Sequence, residues 1–341
     1  MNTSNRKSNV SHDSSYKATV FIPTYNGGVH LRAIFEALLA QETDFDFEVL
    51  VIDSGSRDDT LSIIDEYKDK LPHFRFEAIP NSEYGHGKTR NQAAHMAQGE
   101  IVVYLSHDAV PAHNKWLYEM VKPFEINEKI IGVMGKQIPR PHCIPLLKYE
   151  IRAVFGNFGP DFGTSIFYKD DFVQDQGVYD AISFYSDANS AARRSALTGK
   201  FPYQDVPYAE DQLLGRDIID AGYYKAYAGR GSVVHSNDLT LREYKHRLFD
   251  ETLGLRKIGL PVSAPSKKLV ARLIVTGVLK DSVRILGDRD YNFARKVYWL
   301  FVNPFFHIER WRGVRLAATA KLEDGAAYEK YSLEHSNKRT Q

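Results

Sequence analysis

ATVFI at Ala18–Ile22 runs into Pro23-Thr24-Tyr25-Asn26, and FEVLVI at Phe47–Ile52 runs into Asp53-Ser54-Gly55-Ser56. Each is a short, mainly apolar and β-branched run that stops at a polar turn, which is the pattern of a buried strand. Between them, His30–Ala40 sets Leu31, Ile34, Phe35, Leu38 and Leu39 on one helical face. Ser56-Arg57-Asp58-Asp59 then approximates a capping box ahead of a helix over Thr60–Tyr67. Phe74–Ile79 reads as a third strand, Lys88–Ala97 as a helix closed by Gly99, and Ile101–Leu105 (IVVYL) as a fourth strand, apolar on both faces. Strands alternating with helices predict βαβ units, a mostly parallel sheet and an α/β, Rossmann-like fold flanked by helices.

In such sheets ligands sit beyond the carboxyl ends of the strands. That rule selects the turns at 23–26 and 53–56, the glycine turn Gly85-His86-Gly87, and Ser106-His107-Asp108. Beyond them, Ile131–Met134 is a strand and Pro145–Phe155 a helix. Residues 156–177 read as a long loop. Tyr208-Ala209-Glu210-Asp211 opens a helix to Ala221, and Tyr224–Ala228 with Ser232–His235 is expected to be a strand pair.

Composition sets the outer bounds. The 341 residues include 19 Phe and 20 Tyr, with 26% charged, so a folded core is expected. Cys143 is the single cysteine, which excludes an internal disulfide framework and a multi-cysteine zinc site and suits a reducing, cytoplasmic setting. The first sixteen residues are Ser- and Asn-rich, without the apolar core of a signal peptide, and are expected to form a disordered arm. No apolar run is long enough to span a bilayer.

The net charge of +1 conceals two different portions. Residues 241–341 hold 20 Lys+Arg against 11 Asp+Glu, whereas residues 1–240 hold 24 against 32. The division suggests a body over 17–240 and a basic, mainly helical C-terminal region over 241–341. Lys and Arg alternate there with Trp and Phe, a composition suited to docking at the inner membrane surface. Packing against the body or a second copy, giving a homo-oligomer, suits the apolar runs equally. The charge fits nucleic acid as well, but no nucleic-acid-binding motif accompanies it.

Two nucleotide-binding fingerprints are incomplete in this sequence. Gly87-Lys88-Thr89 resembles the end of a P-loop, the mark of a nucleotide-dependent phosphotransferase, but Ser82 stands where the motif needs its first glycine. A G-x-G-x-x-G after the first strand is absent.

Taken in order, Pro23-Thr24-Tyr25-Asn26, Asp53 to Thr60, Lys88-Thr89-Arg90-Asn91 and Ser106-His107-Asp108-Ala109 resemble the signature of the family 2 nucleotide-sugar glycosyltransferases of the GT-A fold. Glu210-Asp211 and His235 fall where that family places its catalytic acid and a metal ligand, so the likeness spans residues 18–240. The forms D-S-G-S, G-H-G-x-T-R-N and D-A-x-P are similar to bacterial rhamnosyltransferases, which build cell-surface polysaccharides from dTDP-rhamnose. His307-Ile308-Glu309-Arg310-Trp311 only approximates the Q-x-x-R-W of processive synthases and lies far too late in the chain.

The resemblance implies an inverting transfer of a sugar, L-rhamnose or another hexose such as that of a UDP-hexose, onto a saccharide or lipid-linked saccharide acceptor. It assigns the base to Asp211, the donor to Thr24, Asn26, Asp53, Arg90 and Asp108, and the acceptor or sugar to Asp187, Asn189 and Glu210. Asp108 and His235 would hold Mg2+ or Mn2+. A diphosphate leaves readily only when its developing charge is neutralised, which hard oxygen-ligated cations accomplish. Ser106 replaces the acid the family usually carries two residues before Asp108. An alternative for Glu210 and Asp211 is simple complementation of a helix dipole. The resemblance also implies a peripheral enzyme on the cytoplasmic face of the cell membrane.

Overall fold

A computed structural model of the protein describes residues 15–172, 174–237, 239–322 and 325–333. Of the arm expected over residues 1–16, residues 1–14 lie outside this set, and Tyr16 instead begins the first strand. The chain runs β1 (Tyr16–Thr24), α1 (Gly28–Leu39), β2 (Phe47–Asp53), α2 (Thr60–Tyr67), β3 (Arg75–Ala78), α3 (His86–Met96) and β4 (Gly99–Leu105). β5 (Val110–Pro111), α4 (Trp116–Val121), β6 (Ile130–Ile138), α5 (Pro145–Asn157), β7 (Thr164–Phe167) and α6 (Gln176–Ser183) follow. Next come β8 (Asn189–Arg193), α7 (Arg194–Leu197), α8 (Glu210–Asp220) and β9 (Tyr224–Val234). The described residues end in α9 (Leu241–Lys257), α10 (Lys267–Gly287), α11 (Phe293–Thr319) and α12 (Gly325–Tyr331).

The strands form one sheet in the order β3-β2-β1-β4-β8-β6-β9-β5, with β7 also paired to β9. β1 to β4, β6 and β9 share one direction, and β5, β7 and β8 oppose it, giving the expected mostly parallel α/β sheet. Side chains alternate between the two faces. Val20, Val49, Val51, Ile101 and Val103 join Leu31, Ile34 and Phe35 of α1 on one side. Phe21, Leu50, Val102 and Tyr104 join Ala93 of α3 and Leu214 and Ile218 of α8 on the other. Burial of each such large side chain contributes about 1.5–3 kcal/mol, so β1, β2 and β4 are fixed from both sides and hold their terminal loops at one edge.

Four local expectations fail for visible reasons. Ser56 does not cap α2, because its hydroxyl donates to Asp53 Oδ2 at 2.5 Å; Asp58 Oδ1 accepts the Thr60 N–H at 3.0 Å instead. Leu39 is exposed, one step past the buried face of α1. Residues 156–177 contain β7, paired antiparallel to β9. β9 itself is one strand rather than two: its register against β6 jumps from Gly135–Ala228 to Gln137–Val233, so a bulge at 229–232 interrupts the pattern without ending the strand.

The C-terminal helices pack onto the body. α9 opens with a full capping box, Thr240 Oγ1 accepting from Glu243 N and Glu243 Oε2 accepting from Thr240 N. Lys148 of α5 is fully buried between Asp288 at 2.8 Å and Asp290 at 2.9 Å in the α10–α11 turn. Arg310 of α11 meets Glu150 of α5 through two hydrogen bonds, at 2.8 and 2.9 Å.

Candidate active site

The carboxyl ends of β1, β2 and β4 open into a cleft of about 880 Å³. Thr24, Arg90, Asp108, Asp211 and His235 line it, which brings together loops from both halves of the sheet. Ser54 and Ser106 line it too.

Asp108 and His235 meet at the end of β9. His235 Nε2 lies 3.3 Å from Asp108 Oδ2, while Nδ1 lies 2.9 Å from Gln137 Oε1. Gln137 is itself oriented by its amide donating to Ser186 Oγ at 3.0 Å. The Gln137 oxygen accepts from Nδ1–H and so aims Nε2 at Asp108: in the imidazolium Nε2–H donates to that carboxylate, and in the neutral ring Nε2 carries the lone pair. An imidazole lone pair beside a carboxylate is a donor set that fits a divalent cation, with other positions left to a diphosphate. Among the described residues no third His, Cys, Asp or Glu joins them. Burial alone would raise the Asp108 carboxyl, yet His235, and after it His107 and Arg140, hold it well below the usual carboxylate range. Arg140 also donates to the Asp108 carbonyl at 2.5 Å. His107 also lines the cleft, its Nδ1 3.2 Å from the Pro23 carbonyl.

Asp211 lies half-buried in the first turn of α8. Its Oδ1 accepts from Gln212 N at 2.8 Å and its Oδ2 from Asp187 N at 3.2 Å. Burial and the charges of Glu210 and Asp187 push its carboxyl up to about 8, against the pull of Arg90 and the Asp187 amide. A helix dipole alone would lower that value, so the plain dipole reading does not describe this acid. Ala209, just before α8, holds a left-handed φ of 67°, a strained conformation for a residue with a Cβ that sets the entry angle of the acidic pair.

Arg90 organises the acids beneath the cleft. Its Nη1 donates to Glu210 Oε1 at 2.6 Å and to the His86 carbonyl at 3.0 Å, and its Nε is 2.9 Å from Asp187 Oδ2. Burial would lower the guanidinium, but Glu210 and then Asp187 outweigh it and hold Arg90 above its ordinary value. The diphosphate contact expected of Arg90 thus competes with two carboxylates already in place.

Several expected ligands prove to be supports. Asp53 is buried, with Oδ1 accepting from Gly55 N and Ser56 N and Oδ2 from Thr24 Oγ1 and Ser56 Oγ. Both oxygens are committed to the turn, so the expected contact with a base N3–H is not built; Asp53 positions Thr24 and Ser54, which do face the cleft. Asn26 braces two loops, its Oδ1 accepting from Arg57 N at 2.8 Å, and it does not line the cleft. Asn189, expected on the sugar, is fully buried: it accepts from Trp116 Nε1 and donates to the Lys136 and Gly231 carbonyls, tying β8 to β6 and β9. Asp187 and Glu210 are likewise buried, on Ser190, Tyr203 and Arg90, away from an acceptor.

The P-loop alternative does not survive. A Cβ at Gly87 would lie 2.2 Å from the Gln204 carbonyl, so that glycine serves close packing, and Lys88 is exposed outside the cleft. Gln137, Arg247 of α9 and Tyr328 of α12 line the cleft without having been read from the sequence. Gln137 carries no signal beyond its place on β6, and the other two side chains arrive from a region that composition marks only as basic.

Residues 19–198 match Glycosyl transferase family 2. The chain is 32% identical over 235 residues to the O-antigen chain rhamnosyltransferase WbaN of Salmonella anatum, covering 68% of this chain and 70% of that relative. It is 31% identical over 238 residues to the O-antigen chain rhamnosyltransferase RfbN of Salmonella typhimurium, covering 69% and 71%. Among solved structures, the mannosyltransferase PcManGT from Pyrobaculum calidifontis, in complex with GDP-Man and Mn2+, superimposes with a TM-score of 0.51 at 19% identity, over 95% of this chain and 83% of that one. TarS 1–349 of S. aureus gives 0.50 at 19% identity, over 92% and 78%. These neighbours share the GT-A fold, and with a family match over more than half its length the chain belongs to glycosyl transferase family 2.

Proposed function

We propose that the protein transfers L-rhamnose from dTDP-rhamnose, with inversion, onto a saccharide acceptor carried on a lipid, in the synthesis of a bacterial cell-surface polysaccharide. The observation that carries this reading is that Asp211, with a carboxyl near 8, lines the same cleft as the Asp108–His235 couple. The choice of sugar rests on WbaN and RfbN, both O-antigen chain rhamnosyltransferases.

Thr24 and Ser54, set by Asp53, receive the nucleoside end of the donor. Asp108 and His235 would hold Mg2+ or Mn2+, which supplies neutralisation of the charge that develops on the departing diphosphate. Asp211 takes the proton from the acceptor hydroxyl as that oxygen attacks the anomeric carbon from the face opposite the diphosphate. A base with a value near the working pH suits this task. Arg90 pairs with Asp187 and Glu210 next to Asp211, and the negative charge of those two acids raises the Asp211 carboxyl. The enzyme works at the cytoplasmic face of the membrane, where a lipid-borne acceptor resides.

A calorimetric screen of dTDP-, UDP- and GDP-sugars, with and without Mn2+, tests the reading. dTDP-rhamnose should bind, and more tightly with Mn2+; no binding of any nucleotide sugar overturns it. The product linkage should have the anomeric configuration opposite to the donor's. A second reading, a UDP- or GDP-hexose donor, draws on PcManGT, whose complex contains GDP-Man. The same screen separates the two.

A further inference from the structure

The hairpin of α10 and α11 presents an outer face that the described residues leave uncovered. Ile285, Trp299 and Phe306 join Leu146 and Tyr149 of α5 in one apolar cluster, so both helices turn the same side toward the body. With about 3.6 residues per turn, Val275, Leu279 and Val283 of α10 and Phe293, Val297 and Phe301 of α11 fall on the opposite side. Their exposure bears this out, reaching 72% at Val283, 83% at Phe293 and 75% at Phe301. His307 Nε2 lies 3.0 Å from Asp281 Oδ2, and Lys296 Nζ donates to the Leu286 carbonyl at 2.7 Å. That antiparallel register sets the two stripes side by side. A contiguous apolar surface of this kind marks an interaction site.

Charge identifies the partner. Residues 267–305 hold eight Lys or Arg and three acids. Each acid is already partnered within the protein: the buried Asp281 with His307 and Arg284, the buried Asp288 with Lys148 and Tyr149, and the exposed Asp290 with Lys148 and Arg152. Lys268, Arg272 and Lys280 are exposed. A second copy seated on this face would set cations against cations, which opposes association. An anionic lipid surface instead attracts the cations while its acyl boundary receives the apolar stripe. No helix among the described residues is long and apolar enough to cross a membrane, so the hairpin would lie along the surface.

We propose that the outer face of α10 and α11 is a docking surface for an anionic lipid bilayer, entered by Val283, Phe293 and Phe301 and flanked by Lys268, Arg272 and Lys280. The proposal deepens the membrane-face part of the proposed function and rests on that reading for the leaflet concerned. Vesicle flotation of the full chain tests it without any nucleotide sugar, so its failure and a failed donor screen are separate results. The protein should float with vesicles of equal parts phosphatidylcholine and phosphatidylglycerol and much less with phosphatidylcholine alone. Val283→Glu with Phe301→Glu should reduce the floating fraction at least tenfold, and so should Lys268→Glu with Arg272→Glu. All four positions are exposed, and an unchanged thermal melt verifies the fold. Wild-type protein that stays at the bottom of the gradient overturns the proposal, as do folded variants that float like wild type. A dimer in light scattering that Val283→Glu with Phe301→Glu dissolves, while flotation is unchanged, assigns the face to a second copy and overturns it too.

Discussion

The backbone N–H of Asp187 donates to Asp211 Oδ2 at 3.2 Å, so the acid expected to act as base is held by the amide of a residue whose own carboxylate opposes its ionisation. Below about 8 the ionised fraction of Asp211 falls tenfold per pH unit. Turnover should therefore rise with pH on that limb and level off above it, measured as kcat against pH. Asp211→Asn should remove the limb and lower kcat by about 10²–10⁴-fold, with donor binding by calorimetry intact.

The same raised carboxyl has a consequence for stability. The folded protein keeps a proton that the unfolded chain releases in the ordinary carboxylate range. This contribution is complete below that range and is lost as pH rises through about 8. Denaturant titrations between pH 5 and 8 should show a fall in stability that Asp211→Asn flattens.

Arg90 pairs with both Glu210 and Asp187 in that buried cluster. Removing one partner of a buried ion pair costs about 3–5 kcal/mol, because the remaining charge loses its compensation. Arg90→Ala should lower unfolding stability by that order, and Arg90→Lys should recover only part of it, since an ammonium cannot reproduce the two-sided fork.

Gln137 tests the cation couple from behind. Gln137→Leu deletes the acceptor that fixes the His235 tautomer while leaving both proposed ligands in place. Loss of such an outer partner weakens metal affinity by about 10–100-fold, readable by calorimetric titration of Mn2+. An unchanged affinity would remove His235 from the cation's ligands.

Asn189 separates a structural from a binding role. Asn189→Ala strands the Trp116 indole N–H and the Lys136 and Gly231 carbonyls at a fully buried point. At about 1–3 kcal/mol for a buried polar group left without its partner, the variant should unfold measurably earlier in denaturant. The KM for acceptor in the surviving folded enzyme should be unchanged.

The first half of the sheet was legible because its strands are buried on both faces and read as continuous apolar runs; each expected element up to Leu105 forms within two residues of its predicted bounds. Asp108, Asp211 and His235, which the order of motifs singles out, line one cleft. What was not legible is the direction of a carboxylate. Asp53, Asp187 and Glu210 have the right chemistry and sit at the right strand or helix ends, yet hydroxyls, amides and Arg90 turn them inward. Some of those partners are as near as Ser56 and Ser190, three residues on, and others as far as Thr24 and Arg90, and none carries a signature of which way the carboxylate turns. The bulge at 229–232 was hidden for a related reason, since two glycines around Arg230 look the same whether a strand ends or merely kinks.

β9 lies inside the sheet, bonded to β6 on one side and to β5 and β7 on the other, although it is the last strand among the described residues. During synthesis the N-terminal strands can pair early, but the second half must wait with unpaired edges until residues 224–234 emerge. Long-range pairing of this kind is slow and exposes chains to aggregation. Asp108 acquires His235 in that final step, so a nascent or truncated chain that has paired only its first strands holds half of the proposed cation couple and should show no transfer before the sheet is complete.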